Sequence, residues 1–213
     1  MTEKRRMAFT TELKTRAVEE NNEAFIEGYF VVYSSETELW DGAFEEIQAG
    51  ALDESIANNN VVALDNHDTR IVLGSTDSRT VELKSDEKGL WARIKIDLED
   101  PNAKSAYQKV KNGLVRGCSF GFNPIEETIE NREDGSVKWI VTKAEILEIS
   151  TTVFPAYTDT SVEARHKQFD ELSTRNKQRN LQKRKQQLKE RIQKGKLQVQ
   201  VSHPDKPVSA CCN

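Results

Sequence analysis

Cysteine, histidine, proline and long apolar runs are all scarce in this 213-residue chain, and each scarcity removes a class of protein. Cys118, Cys211 and Cys212 are too few and too unevenly placed for a disulfide framework, which fits a reducing compartment. No apolar stretch approaches the roughly 20 residues that a membrane-spanning helix needs, so no membrane partner is expected. The opening MTEKRRMAFTTELKTR is charged and lacks the apolar centre of a secretory signal. Asp65, His67 and Asp68 crowd together, but no second histidine or cysteine lies near to complete a transition-metal ligand set. No metal and no cofactor are expected.

What is present is charge, unevenly spread. The net charge of −4 conceals a basic segment, residues 166–196, with 11 Lys/Arg against 3 Asp/Glu, a balance of +8. Residues 1–165 carry −12. A composition shift of that size marks a boundary. It divides the chain into a loose polar lead-in (1–22), a domain (23–160) and a basic tail (161–213).

Within the domain the pattern is mostly that of strands. Ala24 to Tyr33, AFIEGYFVVY, is aromatic and β-branched. Val61–Leu64, Ile71–Ser75, Thr80–Leu83 and Leu90–Leu98 continue as short strands. Gly50–Ala57 reads as a short helix, and Asp100-Pro101 opens a second one that runs to about Lys111 and ends at Asn112-Gly113. Leu114–Asn123, a hairpin around Asn131–Ser136 and a long strand from Lys143 to Phe154 follow, and Pro155-Ala156-Tyr157 closes the domain. The fold class is mainly β (α+β), about eight strands with two short helices, in the form of a closed barrel. The tail from about Ser161 to Lys196 favours helix by composition. Its apolar stripe is too thin to hold a core, so it is an exposed helix or a segment that orders on a partner.

The segment LVRGCSFGFN carries the strongest chemical signal. On a strand, Cys118, Phe120 and Phe122 face the core, while Gly117, Ser119 and Gly121 face the other way. Ser119 then stands on a face free of bulky neighbours, which suits a nucleophile that a peptide backbone must reach. The plainer reading is a serine between glycines that let a barrel strand curve. The same residues satisfy G-x-S-x-G, but the nucleophile elbow requires a helix after the serine and a histidine later in the chain. FGFNPI is extended, and the only later histidines, His166 and His203, lie in the tail.

A serine hydroxyl needs a base within hydrogen-bond reach. His67 is the only imidazole before the tail and is the default base; its structural alternative is a loop histidine satisfied by adjacent carboxylates. An acid should orient the ring. In AEILEISTTVF, Glu148 shares a strand face with Ile146 and Ser150, opposite Leu147, Ile149 and Val153. A carboxylate amid apolar neighbours demands a partner. Glu145 and Asp68 are the alternatives, and a rim salt bridge is the structural reading of Glu148.

At this point the residues resemble a known family, the prohead (capsid-maturation) serine proteases of tailed phages. The pieces that carry the likeness are Gly28-Tyr29, Gly50-Ala51-Leu52, Asn66-His67-Asp68 with Leu73-Gly74, and Gly89-Leu90. Gly117-Cys118-Ser119-Phe120-Gly121-Phe122 and Leu147-Glu148-Ile149-Ser150 leading to Phe154-Pro155-Ala156 complete the set, in family order. The resemblance implies a β-barrel related to the herpesvirus capsid proteases, with Ser119 as nucleophile and His67 as base. Glu148 carries over less directly, because the herpesvirus enzymes use a second histidine. The implied activity is endopeptidase cleavage of scaffold protein, or of a scaffold-like extension of the major capsid protein, together with self-cleavage. The implied place is the host cytoplasm, inside the prohead, with the enzyme capsid-associated or homo-oligomeric. Three other classes compete: a prohead scaffold or assembly protein that keeps the barrel without activity, a nucleic-acid binder acting through the basic tail, and a small-molecule esterase, which the order of histidine before serine disfavours. Reactivity with a fluorophosphonate separates the first. The tail's near-lack of aromatics for base stacking weighs against the second.

Overall fold

The structure, a computed structural model, describes residues 5–10, 13–18, 23–153, 169, 172, 174, 175 and 177–192. The chain divides into two compact units, Met1–Lys167 and Gln168–Asn213. The first unit holds eleven strands and two helices among the described residues: β1 (Arg5–Thr10), β2 (Lys14–Val18), β3 (Glu23–Val32), β4 (Thr37–Trp40), β5 (Ala43–Ile47), α1 (Asp53–Asn58), β6 (Val62–Asp65), β7 (Asp68–Ser75), β8 (Val81–Ser85), β9 (Gly89–Ile96), α2 (Pro101–Lys111), β10 (Gly117–Asn131) and β11 (Val137–Thr152).

These strands form two separate hydrogen-bonded sheets, of seven and four strands, and not the closed barrel expected from the sequence. The smaller sheet runs β2-β3-β9-β8; the larger runs β1-β10-β11-β5-β4, with β6 and β7 attached through β11. A barrel would need the ladder to close, but β1 and β4 end the main path of the larger sheet and β2 and β8 end the smaller one. The inner faces bury one apolar core that includes Ile26, Phe30, Ile94, Phe120, Phe122 and Ile149.

The 16-residue β11 organises the larger sheet. It pairs antiparallel with β10 along nearly its whole length, and its other edge is shared by two parallel partners. Its first half pairs with β5, Val137↔Ala43 through Val141↔Ile47. Its second half pairs with β6, Glu148↔Val62 through Thr151↔Asp65. The short helix α1 fills the crossover between them and is tied to β11 by Ala144 N–H donating to the Ala51 carbonyl and Ile146 N–H donating to Ser55 Oγ. This register decides where the end of β6, and the histidine after it, will lie.

The loose lead-in proposed for residues 1–22 contains β1 and β2. RRMAFT and KTRAV have no clean apolar alternation; they are edge strands recruited by pairing, a tertiary effect that overrides local pattern. β4 and β5, also unforeseen, had a readable signal: Asp41-Gly42 is a two-residue hairpin turn, and Gly42 adopts φ +77°. Helix α2 begins where its sequence said, with the Asp100 carboxylate accepting from Asn102 N–H at 2.8 Å and Pro101 in the first turn. In the second unit residues 177–192 are helical and exposed. Pro155-Ala156-Tyr157, His166, His203, Cys211 and Cys212 lie outside the described residues.

Two substitutions test this architecture by urea unfolding. Phe30→Ala, at a fully buried position between the sheets, should lower stability by about 3–5 kcal/mol through lost transfer energy and the cavity left behind. Asp100→Ala, which removes only the cap of α2, should cost about 1 kcal/mol.

Candidate active site

The strand β6 ends at Asp65, β7 begins at Asp68, and those two residues face each other across the ladder. Only Asn66 and His67 are left to make the turn, and both have left-handed backbone, φ +51° and +61°. That is the geometry of a two-residue hairpin whose twist matches its strands. Asparagine tolerates it; a histidine there is uncommon and is held against a backbone cost. What holds it is β11: Asn66 N–H donates to the Thr151 carbonyl at 2.7 Å, and Thr152 Oγ1 donates to Asn66 Oδ1 at 3.2 Å.

The turn delivers the imidazole to Glu148. His67 Nδ1 lies 2.8 Å from Glu148 Oε1, with the ring 14% exposed and the carboxylate side chain 4% exposed. An ionised carboxylate only accepts, so the contact requires the proton on Nδ1 and leaves Nε2 as the ring's acceptor. The second carboxylate oxygen, Oε2, accepts from Ser150 Oγ at 2.6 Å. Ser150 lies two residues along the same strand and is fully buried. It was visible in the sequence as a face-mate of Glu148, but nothing in the pattern gave it a role.

Two local features aim Glu148. Gly121 pairs with Glu148, but Phe122 pairs with Ile146, so Leu147 is an extra residue on β11. This bulge breaks the strict alternation on which the sequence reading depended. Ile146, expected on the Glu148 face, joins Ile149 in the core instead. Beneath the carboxylate, a Cβ on Gly121 would lie 2.6 Å from Glu148 Oε1 and 3.0 Å from its Cγ. The space above Gly121 is therefore filled by the glutamate side chain.

Ser119 is placed beside this group. It is the Cα partner of Ser150 on β10, so both side chains leave the same face. The open face anticipated for it is not found: Ser119 is 0% exposed, and its hydroxyl donates to the Met7 carbonyl oxygen of β1 at 2.6 Å. The structure thus joins His67, Glu148 and Ser150 through one carboxylate, and sets Ser119 alongside them with its proton directed at β1.

The alternative acids are occupied elsewhere. Glu145 accepts from Asn59 Nδ2 at 3.1 Å and Asn123 Nδ2 at 2.9 Å. Asp68 grips the Arg70 guanidinium and accepts from Arg70 N–H, bonds that lower its pKa to about 2. Asp65 accepts from Lys109 Nζ at 3.1 Å and Thr151 Oγ1 at 2.9 Å. Asp65, His67 and Asp68 therefore point to three different sets of partners. Among the described residues no cluster has the makings of a metal site.

Gly121→Ala tests the arrangement without removing any polar group. The new methyl must push the Glu148 side chain aside, and a displacement near 1 Å can cost about 10²-fold in rate. The rate of any reaction the site performs should fall by about that factor with the circular dichroism spectrum retained. In a Glu148→Gln background the same substitution should add little, because the two changes act on one contact.

Comparison with known proteins bears on what this arrangement serves. Among solved structures, the bacteriophage T4 capsid assembly protease gp21 is similar over 68% of this chain and 97% of its own, with 11% identity and a TM-score of 0.40. Among curated proteins no match is found. The family model described as caudovirus prohead serine protease matches residues 11–175, most of the chain and the whole of the site just described, and this chain belongs to that family.

Proposed function

We propose that the chain is the endopeptidase of prohead maturation, cleaving scaffold protein or a scaffold-like extension of the major capsid protein, with Ser119, His67 and Glu148 as its catalytic residues. The observation that carries the reading is the 2.8 Å contact between His67 Nδ1 and the buried Glu148 carboxylate, in a chain of a serine protease family. A histidine held on left-handed backbone and tied to a buried acid matches the orienting half of a serine protease triad.

That geometry supports the following roles. Ser119 Oγ attacks the scissile carbonyl carbon and passes its proton to His67 Nε2. Glu148 stabilises the imidazolium through Nδ1–H, while Ser150, already bonded to Oε2, keeps the carboxylate in place. The imidazolium protonates the leaving amine, and water then releases the acyl group by the same route in reverse. Ser150 is the competing hydroxyl, since it shares the carboxylate with His67. The Ser150 proton is held by the acid that orients His67, whereas that of Ser119 goes to a carbonyl of the edge strand β1, and Ser119 lies directly across the ladder between glycines.

A fluorophosphonate distinguishes the two serines. Trypsin releases Ser119 in the peptide after Arg116 and Ser150 in a peptide after Lys143, so the mass of the adduct identifies the nucleophile. We expect it on Ser119; an adduct on Ser150 overturns the assignment. Ser119→Ala and His67→Asn should each abolish cleavage while leaving the domain folded, and their effects should not add. Asparagine is chosen at 67 because it tolerates left-handed backbone. Glu148→Gln should lose less.

The domain of residues 23–160 carries the chemistry in this reading, and the basic tail, residues 161–213, links the enzyme to the internal scaffold. Self-cleavage at some point beyond Tyr157 sheds that tail. Intact mass after incubation with assembling capsid protein should show the loss in wild type and the full 213 residues in Ser119→Ala. A wild type that stays at full length rules out self-processing there.

A further inference from the structure

A peptidase that attacks through Ser119 must bring an extended peptide to β10, yet that edge is already filled by the chain itself. β1 pairs antiparallel with β10 from Arg5↔Phe122 to Thr10↔Gly117, with Ala8 opposite Ser119. It ends the larger sheet, so among the described residues only one of its edges is paired. The Met7 side chain is fully buried and its carbonyl oxygen takes the Ser119 proton at 2.6 Å. The other side of β10 belongs to β11. The family match begins at residue 11, after β1 has ended.

We propose that β1 is a cis-acting occupant of the peptide-binding edge of β10, and that an extended substrate segment reaches Ser119 by taking its place. The proposal builds on the reading of Ser119 as the nucleophile. Strand addition to a sheet edge is how an extended peptide gains main-chain hydrogen bonds while its alternate side chains enter pockets. The position of Met7 then calls for a substrate residue with an apolar side chain. The resident strand is not itself poised for cleavage. The Ser119 hydroxyl points its proton at the Met7 oxygen, whereas attack requires the oxygen directed at a carbonyl carbon and the proton directed at His67. While β1 is docked, the nucleophile is both covered and hydrogen-bonded to the wrong acceptor, so the chain is held latent until a competing strand arrives.

The test uses the full-length chain. Met7→Asp puts a charge where the side chain is buried and should release β1, while Met7→Leu keeps it apolar. A fluorophosphonate should modify Ser119 at least about tenfold faster in Met7→Asp than in wild type, with Met7→Leu near wild type. Hydrogen exchange should show β1 amides opened and β11 amides still protected. A synthetic peptide of residues 4–12 in excess should return Met7→Asp to the wild-type labelling rate. Against a peptide substrate it should raise KM without changing kcat. A fluorescent copy of that peptide should bind Met7→Asp and not wild type, a readout that needs no chemistry. Equal labelling of wild type and Met7→Asp, β1 amides that stay protected in Met7→Asp, or a peptide that neither binds nor inhibits would each overturn the proposal. If the fluorescent peptide binds Met7→Asp but no protein is ever labelled at Ser119, strand exchange stands and the role of Ser119 as nucleophile falls.

Discussion

A carboxylate buried as deeply as that of Glu148 imposes conditions on everything around it. Removing an ion from water costs several kcal/mol even after relaxation, and good hydrogen bonds must offset that loss. The surroundings of Glu148 meet the demand from two sides: His67 Nδ1 on Oε1 and Ser150 Oγ on Oε2. Each donor in turn fixes a piece of backbone. Ser150 requires the regular two-residue spacing on β11, so the bulge must fall on the other side of Glu148, at Leu147, where it does. His67 requires β6 to stop at Asp65 and reverse in two residues, which forces both turn residues into left-handed backbone. Gly121 follows because any larger residue would occupy the carboxylate's own volume. The bulge, the turn and the glycine are thus consequences of one buried charge.

The same logic explains which parts of the site were legible in the sequence. Glu148 stood out because an acid in a run of apolar strand residues has to be paired, and His67 stood out because it was the only imidazole before the tail. Their juxtaposition could not be read, since it depends on the parallel register of β6 on β11, set by a crossover through α1. Gly121 was noticed as open space, but the reason for the space lies across the ladder on another strand. The face of Ile146 was misassigned because alternation holds only until a bulge, and a bulge leaves no clear mark in the sequence. The fold followed a similar division. α2 carried its own cap and proline and was located to the residue, whereas β1 and β2 owe their strand state to partners more than 100 and about 10 residues away respectively.

A second buried acid lies close by in register and does not compete for the imidazole. Asp65, two residues before His67, is paired in register with Thr151, three residues after Glu148. Lys109 from α2 supplies the opposite charge and Thr151 a hydroxyl, so Asp65 is satisfied without the ring. Two carboxylates sharing one imidazole would blur its orientation and its basicity. Lys109 keeps the two acids separate, and it gives α2, a helix with no residue in the proposed triad, a direct electrostatic link to the turn that carries His67.

The strand β10 lies between neighbours of very different firmness. On one side β11 is held by β10, β5, β6 and α1 together. On the other, β1 is six residues joined along a single edge. Ordering six residues costs roughly 6–12 kcal/mol of backbone entropy. A ladder of about six hydrogen bonds returns roughly 3–9 kcal/mol net. Burial of the Met7 side chain adds about 1.5–3 kcal/mol, and the Ser119 bond about 1 kcal/mol more. Gain and loss nearly cancel, which is the condition for a strand that docks in the free protein yet gives way to another of similar shape. Any competing extended segment faces the same entropy, so each further paired residue or filled pocket it brings tips the exchange toward it. A rigid β11 can then hold His67 and Glu148 in place while the opposite edge of β10 changes occupant.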